Sequence, residues 1–203
     1  MSAGPSRRRV AVLLLPAGLA LVPQAARAHL VTTGLGPLYD GITHFLVSFE
    51  DLLPVLAMAL LAGLNGPPAG RRALFVLPAA WLCGGLAGFV AGAAPAGAWV
   101  VAFSTLVLGA LVAVDRKLRL VVVTALAAAL GLLHGWMNGA GIAAANREGL
   151  AVLGIGAAVF GVVALLAALA VSVQAQSARI AVRVAGSWIA AVGLLLVGWQ
   201  LRG

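Results

Sequence analysis

The chain has 203 residues, 63% of them hydrophobic and 9% charged, with a net charge of +8 and a mean hydropathy of +1.12. A water-soluble domain of this length carries roughly 25% charged residues, so thirteen basic and five acidic side chains cannot clothe a soluble globule or a soluble enzyme. The basic residues sit in short clusters between apolar runs, as topology signals do, which argues against nucleic acid as the partner and for a lipid bilayer.

In chain order, Arg7, Arg8 and Arg9 form a charged start, Val10 to Val22 an apolar run, and Ala26-Arg27-Ala28 a small-residue cleavage site. That run is short for a membrane span. Residues 1–28 therefore read as a secretory signal peptide, with a retained anchor as the alternative. Cleavage would expose His29, whose amine and imidazole together could chelate a metal; a plain flexible terminus is the simpler reading.

Residues 29–203 read as one transmembrane domain. Six apolar stretches follow, at 41–64, 72–93, 97–114, 119–137, 149–173 and 183–201. Each has about 18 to 25 residues, enough to cross roughly 30 Å of hydrocarbon as a helix. Alternating strands are absent, which excludes an outer-membrane barrel. The expected fold is all-α, a polytopic six-helix transmembrane bundle. The first, third and fifth connections hold Arg71, Arg72, Arg116, Lys117, Arg119, Arg179 and Arg183, so these lie inside and both mature ends lie outside, in the periplasm of a bacterial inner membrane. Trp99, Trp136 and Trp199 then fall near the outer interface. Gly84, Gly88 and Gly92 on the second span, and Gly131, Gly135 and Gly139 on the fourth, repeat every four residues and suit close helix packing within the bundle. Cys83, alone in an apolar run, is expected to be a packed thiol.

Ionisable groups inside a span are functional candidates. The first span carries His44, Glu50 and Asp51; the fourth carries His134, with Asn138 one turn on. Asp40, just before the first span, is placed to cap it. On a straight helix Asp51 shares the face of His44, and Met58 continues it, as a packing residue or a soft ligand. Pro54 removes the hydrogen bond to the Glu50 carbonyl and is expected to kink the helix there, as in the discontinuous helices of transporters. Carboxylates favour hard cations, whereas imidazole brings in nickel, cobalt, zinc or copper. Gly41-x-x-His44 and Gly131-x-x-His134 start two sets of three spans, hinting at a 3+3 inverted repeat that sets both imidazoles at one depth. The plainer alternative is a polar cluster that only fixes helix packing. No Lys or Arg lies inside either span to pair these groups.

At these residues the chain resembles the HupE/UreJ family of hydrogenase and urease accessory membrane proteins. The family shows a leader ending before an Ala-His pair, a first-span motif H-P-x-x-G-x-D-H-x-x-x-M, and a later H-G-x-x-H-G. Here Ala28-His29 stands at the cleavage site, followed by His44-Phe-Leu-Val-Ser48-Phe-Glu50-Asp51-Leu-Leu-Pro-Val55 and by His134-Gly135-Trp-Met-Asn138-Gly139. The resemblance implies a permease for nickel, or for cobalt or another transition metal. His44 and His134 match motif histidines, and Glu50 replaces the motif aspartate. Asp51 and Asn138 stand at motif histidines, Phe45 at the proline, Ser48 at the glycine and Val55 at the methionine. The site is thus richer in oxygen than the family pattern.

The reading is a metal-ion permease in which His44 and His134 recruit a divalent cation and Glu50 and Asp51 receive it, with Asn138 completing the set and His29 as an outlying ligand. No permanently bound cofactor is expected; nickel or cobalt comes first as cargo, then zinc or copper. Metalloenzyme maturation proteins are candidate partners. The alternatives are a non-transporting assembly factor and a proton-coupled transporter of a non-metal solute. Neither a nucleotide-binding loop nor an enzyme's nucleophile–base spacing is present.

Overall fold

The computed structural model describes residues 32–93, 97–173 and 175–202; the signal-peptide segment and His29 fall outside them. The regular structure among these residues is helical: α1 (Pro37–Val47), α2 (Phe49–Leu64), α3 (Pro67–Ala91), α4 (Gly97–Ala113), α5 (Leu120–Ala144), α6 (Leu150–Ser172) and α7 (Gln176–Gln200). Helices α3, α5, α6 and α7 are long and apolar enough to cross a membrane, and the bent pair α1–α2 makes a fifth candidate. Helix α4 is apolar but shorter, at 17 residues. All six apolar stretches are thus helical, and the chain has the build of a multi-pass membrane protein.

Several boundaries differ from those read in the sequence. Helix α5 runs on to Ala144, so Asn138 lies well inside it. Helix α7 begins at Gln176, which puts Arg179 and Arg183 in its first turns rather than in a loop. Helix α1 begins at Pro37, whose fixed φ suits a first helical position, behind Gly36 at φ 105°. Asp40 therefore sits inside α1 and does not cap it.

The largest difference is the position of the break in the first stretch. Helices α1 and α2 meet at 74°, and the bend is at Ser48, not at Glu50. Ser48 leaves helical geometry with φ −84° and ψ 92°, its N–H still bonded to the carbonyls of His44 and Phe45 at 3.0 and 3.3 Å. Pro54 lies buried inside α2. Its missing N–H costs α2 one early bond without ending it, because the helix has restarted only five residues before.

Glycine sets the closest contacts. A Cβ on Gly84, Gly88, Gly135 or Gly139 would lie 1.9 to 2.3 Å from backbone oxygens of the facing helix, so α3 and α5 touch backbone to backbone. Gly92 instead ends α3 in left-handed geometry. Gly109 and Gly193 do the same for α4 against α7, and Gly41 and Gly154 for α1 against α6. Such close approach gives the van der Waals packing that holds helices together where lipid offers no hydrophobic drive. Met58 is fully buried in the core, a packing residue. Cys83 is exposed on α3, against expectation: its side chain points away from the glycine face.

The basic connections gather at one end of the bundle. Arg179 pairs with Asp115, Lys117 donates to the Leu64 carbonyl, Arg183 donates to the Ala113 carbonyl at 2.9 Å, and Asn65 joins α2 to Arg116 and Leu118. At the opposite end Asp40 accepts from the N–H and hydroxyl of Thr33, and from Arg147 at 3.0 Å. There too Trp136 ties α5 to the Ala93 carbonyl at the end of α3.

Candidate metal site

Two rare features of the sequence meet at the bend. Because α2 restarts at Phe49, Glu50 and Asp51 stand in its first turn, where free N–H groups favour negative charge. Across from them α5 presents His134 and Asn138, four residues apart and so on one face. His134 is 0% and Asp51 3% exposed. His134 Nδ1 lies 2.8 Å from Asp51 Oδ1. In the Nδ1–H tautomer that nitrogen donates to the carboxylate. Asn138 Nδ2 donates to the other oxygen, Oδ2, at 2.9 Å, and also to the His134 carbonyl at 3.0 Å. Both oxygens of Asp51 are thereby held by α5.

The far nitrogen of His134, Nε2, lies 3.0 Å from Ser104 Oγ on α4. Ser104 is also within 3.1 Å of its own Val101 carbonyl. The Trp81 ring packs on the imidazole at 5.7 Å, and Phe45 packs edge-on against Trp81 at 5.8 Å. Both ring nitrogens of the imidazole are therefore engaged, and Trp81 packs against the ring. In distance alone, Asp51, His134 and Ser104 resemble a hydrolase relay. Ser104, however, lies within continuous helix, where neighbouring N–H groups are spent on helical bonds and cannot stabilise an oxyanion.

A cavity of about 560 Å³ opens beside the pair, towards the end opposite the basic connections. His44, Glu50, Asp51 and Asn138 line it on one side, with Thr105 on α4 and Gln200 on α7 among the residues across it. Two of these lining residues each bury an oxygen away from a water-sized probe and without a hydrogen-bond partner, Thr105 Oγ1 and Asn138 Oδ1. His134 is not part of this lining. It borders a second, apolar cavity of about 400 Å³ between α4 and α5.

The structure thus joins Asp51, His134 and Asn138 directly and sets His44 and Glu50 on the same cavity. Among the described residues, no three His, Cys, Asp or Glu side chains converge closely enough to hold a metal ion. The shared face expected of His44 and Asp51 does not apply, because the bend lies between them. Asp40, expected as a cap, instead binds Thr33 and Arg147. Sequence reading passed over Ser104 and Thr105, since hydroxyls in apolar helices ordinarily bond their own backbone. Adjacent hydroxyls on α4 were the one signal, and it does not tell which of them lacks a partner.

Compared with known proteins, the chain matches the family model described as HupE / UreJ protein over residues 17–196. No curated protein and no solved structure matches it.

Proposed function

The chain belongs to the HupE / UreJ family, and on that premise we propose that it is an inner-membrane permease for a divalent transition-metal cation, nickel or cobalt before zinc or copper. The observation that carries this reading is the acid-lined cavity whose wall holds Glu50 beside the Asp51–His134–Asn138 cluster. An ionised carboxylate is costly inside a membrane unless it is paired or serves a path. Asp51 is held in place by His134 and Asn138, while Glu50 faces the cavity. In this scheme the cation enters past His44 and meets the charge of Glu50 and Asp51. His134 acts as a positioning residue for Asp51, and Ser48 is the hinge that brings the start of α2 to the site.

We place the cavity mouth on the periplasmic side, because the basic connections lie at the other end and cytoplasmic loops are the basic ones. Six crossings then follow, with α1–α2 and the short α4 each counted as one. An inverted 3+3 repeat is supported by two glycines. Gly41 opens α1 to the Ala151 carbonyl on α6, and Gly131 opens α5 to the Leu77 carbonyl on α3, so the first helix of each half docks on the second helix of the other.

The test is uptake of nickel, cobalt, zinc and copper by proteoliposomes of the full chain, with Glu50→Gln, Asp51→Asn and His134→Ala beside the wild type. The wild type should load at least one metal, and each variant should slow loading. If the wild type loads none and the variants lose only thermal stability, a second reading takes over. The chain is then a membrane-bound assembly factor for a metalloenzyme. The engagement of both His134 nitrogens and both Asp51 oxygens within the chain favours that alternative.

A further inference from the structure

The basic end of the bundle carries more charge than the chain can neutralise. Seven cations gather there in the three basic connections and the first turns beside them. They face one carboxylate, Asp115, which pairs with Arg179. The chain has only five acids in all. Glu50 and Asp51 line the large cavity, and Asp40 and Glu148 stand together at the opposite end. Arg71, near the start of α3, therefore has no counter-ion within the protein.

Beside Arg71 runs an apolar groove of about 200 Å³ between α3 and α6. Gly70, Arg71 and Leu74 line it from α3, and Ala164, Ala167 and Ala168 from α6, each set brought to one helix face by its spacing. Gly70 and Ala167 are buried, whereas Arg71 and Ala168 are exposed, so the groove opens outward to the bilayer. Its depth comes from Gly70: a Cβ there would meet Val171 and Ala167 only at 3.5 and 3.8 Å. Arg71 is the one lining residue with a polar side chain, so the groove offers water nothing else to bond. An arginine can lay its methylenes on such a surface and keep its head at the membrane interface. The pull on an anion comes from this guanidinium rather than from the helix end, because Pro67 and Pro68 open α3 without N–H groups.

From this we propose that the α3–α6 groove binds one anionic phospholipid, with its phosphate on Arg71 and a stretch of one acyl chain along the alanines. Charge complementarity selects the headgroup, and the dry walls select hydrocarbon over a polar solute. Basic pockets between transmembrane helices on the cytoplasmic side hold anionic headgroups, and the basic end is the cytoplasmic one by the loop rule. The proposal needs no metal cargo and stands apart from the permease reading.

Native mass spectrometry of the purified full-length protein tests it, with dioleoyl phosphatidylglycerol, dioleoyl phosphatidylcholine and glycerol phosphate as probes. The two lipids share their chains and differ in net charge; glycerol phosphate has the anion without a chain. Phosphatidylglycerol should bind the wild type about tenfold more tightly than phosphatidylcholine. Arg71→Gln should weaken phosphatidylglycerol about fivefold, or roughly 1 kcal/mol. Arg119→Gln, the same change of charge on another connection, should leave binding near the wild-type value. Ala168→Leu, which fills the groove and keeps every charge, should weaken it as Arg71→Gln does. All three positions are exposed, so melting temperatures in lipid-free detergent should stay at the wild-type value. Equal binding of the two lipids, equal losses for Arg71→Gln and Arg119→Gln, or no loss for Ala168→Leu would each overturn the proposal. Displacement of phosphatidylglycerol by an equal concentration of glycerol phosphate would do so too, since it would reveal a plain phosphate site. None of these readouts depends on transport, so a protein that moves no metal but binds the lipid as expected would refute the permease and leave this site standing.

Discussion

Replacing Asp51 with leucine gives the sharpest test of the polar cluster, because it preserves an apolar helix while removing both acceptors. His134 Nδ1, in a fully buried ring, loses its 2.8 Å partner. Asn138 loses one of the two acceptors of its Nδ2 and keeps the His134 carbonyl. In water-soluble proteins an orphaned buried donor costs about 1–3 kcal/mol, but in a bilayer the unfolded helices also find partners. Interhelical hydrogen bonds there average about 0.6 and reach about 1.7 kcal/mol. Two such bonds give a loss of about 1–3 kcal/mol, or a fall of roughly 2–12 °C in melting temperature for a chain of this size. Asp51→Asn keeps one acceptor for the imidazole but turns an amide donor towards that of Asn138, so it should lose about half as much. Thermal unfolding of the purified protein in detergent measures both. The double variant Asp51→Leu/His134→Phe removes donor and acceptor together and should melt above Asp51→Leu alone. If Asp51→Leu melts within 1 °C of wild type, or the double variant loses the sum of the singles, the pair is not a coupled buried network and the reasoning fails.

Two further outcomes follow from the packing. Gly139→Val would place a Cβ 1.9 Å from the Gly85 carbonyl, whereas Gly141 has open space around it; the first should cost roughly 1–3 kcal/mol and slow metal uptake, and Gly141→Ala should not lower the melting temperature. Cys83, exposed at the middle of α3, should resist a water-soluble maleimide in proteoliposomes and react once the bilayer is dissolved; labelling in intact vesicles would show that this face of α3 meets water rather than lipid.

Much of this fold was legible because lipid imposes a simple demand. Each apolar stretch had to satisfy its backbone internally, so each became helix, and the glycines spaced by four became the α3–α5 contact. The scarcity of charge likewise singled out Asp51, His134 and Asn138, which the structure brings within bonding distance. Their pairing was harder to see. Helical arithmetic joined Asp51 to His44, and it held only while the helix was taken as continuous. Pro54 drew attention as the obvious breaker, yet the chain turns at Ser48, a residue that breaks no rule of helix propensity. The resemblance held the useful hint, since Ser48 stands where the family motif has glycine. Thr105 was illegible for another reason: a hydroxyl gains meaning only when its partner is missing, and a missing partner is a property of the folded chain alone.

The glycine contacts divide the bundle mechanically. Backbone touches backbone within four pairs, α3 with α5, α4 with α7, α1 with α6, and α2 with α6 through Gly63, and interlocked backbones slide or part only at high cost. The cavity lies across a joint of another kind. Asp51 and Asn138 stand on one side, while Thr105 and Gln200 stand on the α4–α7 pair. Where glycine does face that joint, Gly97 meets only the flexible tip of Met137. A side-chain joint between stiff plates is the place where a bundle yields first. The α4–α7 pair meets α5 across the cavity through side chains, and a cross-link between that pair and α5 should slow uptake while leaving every polar group of the site untouched.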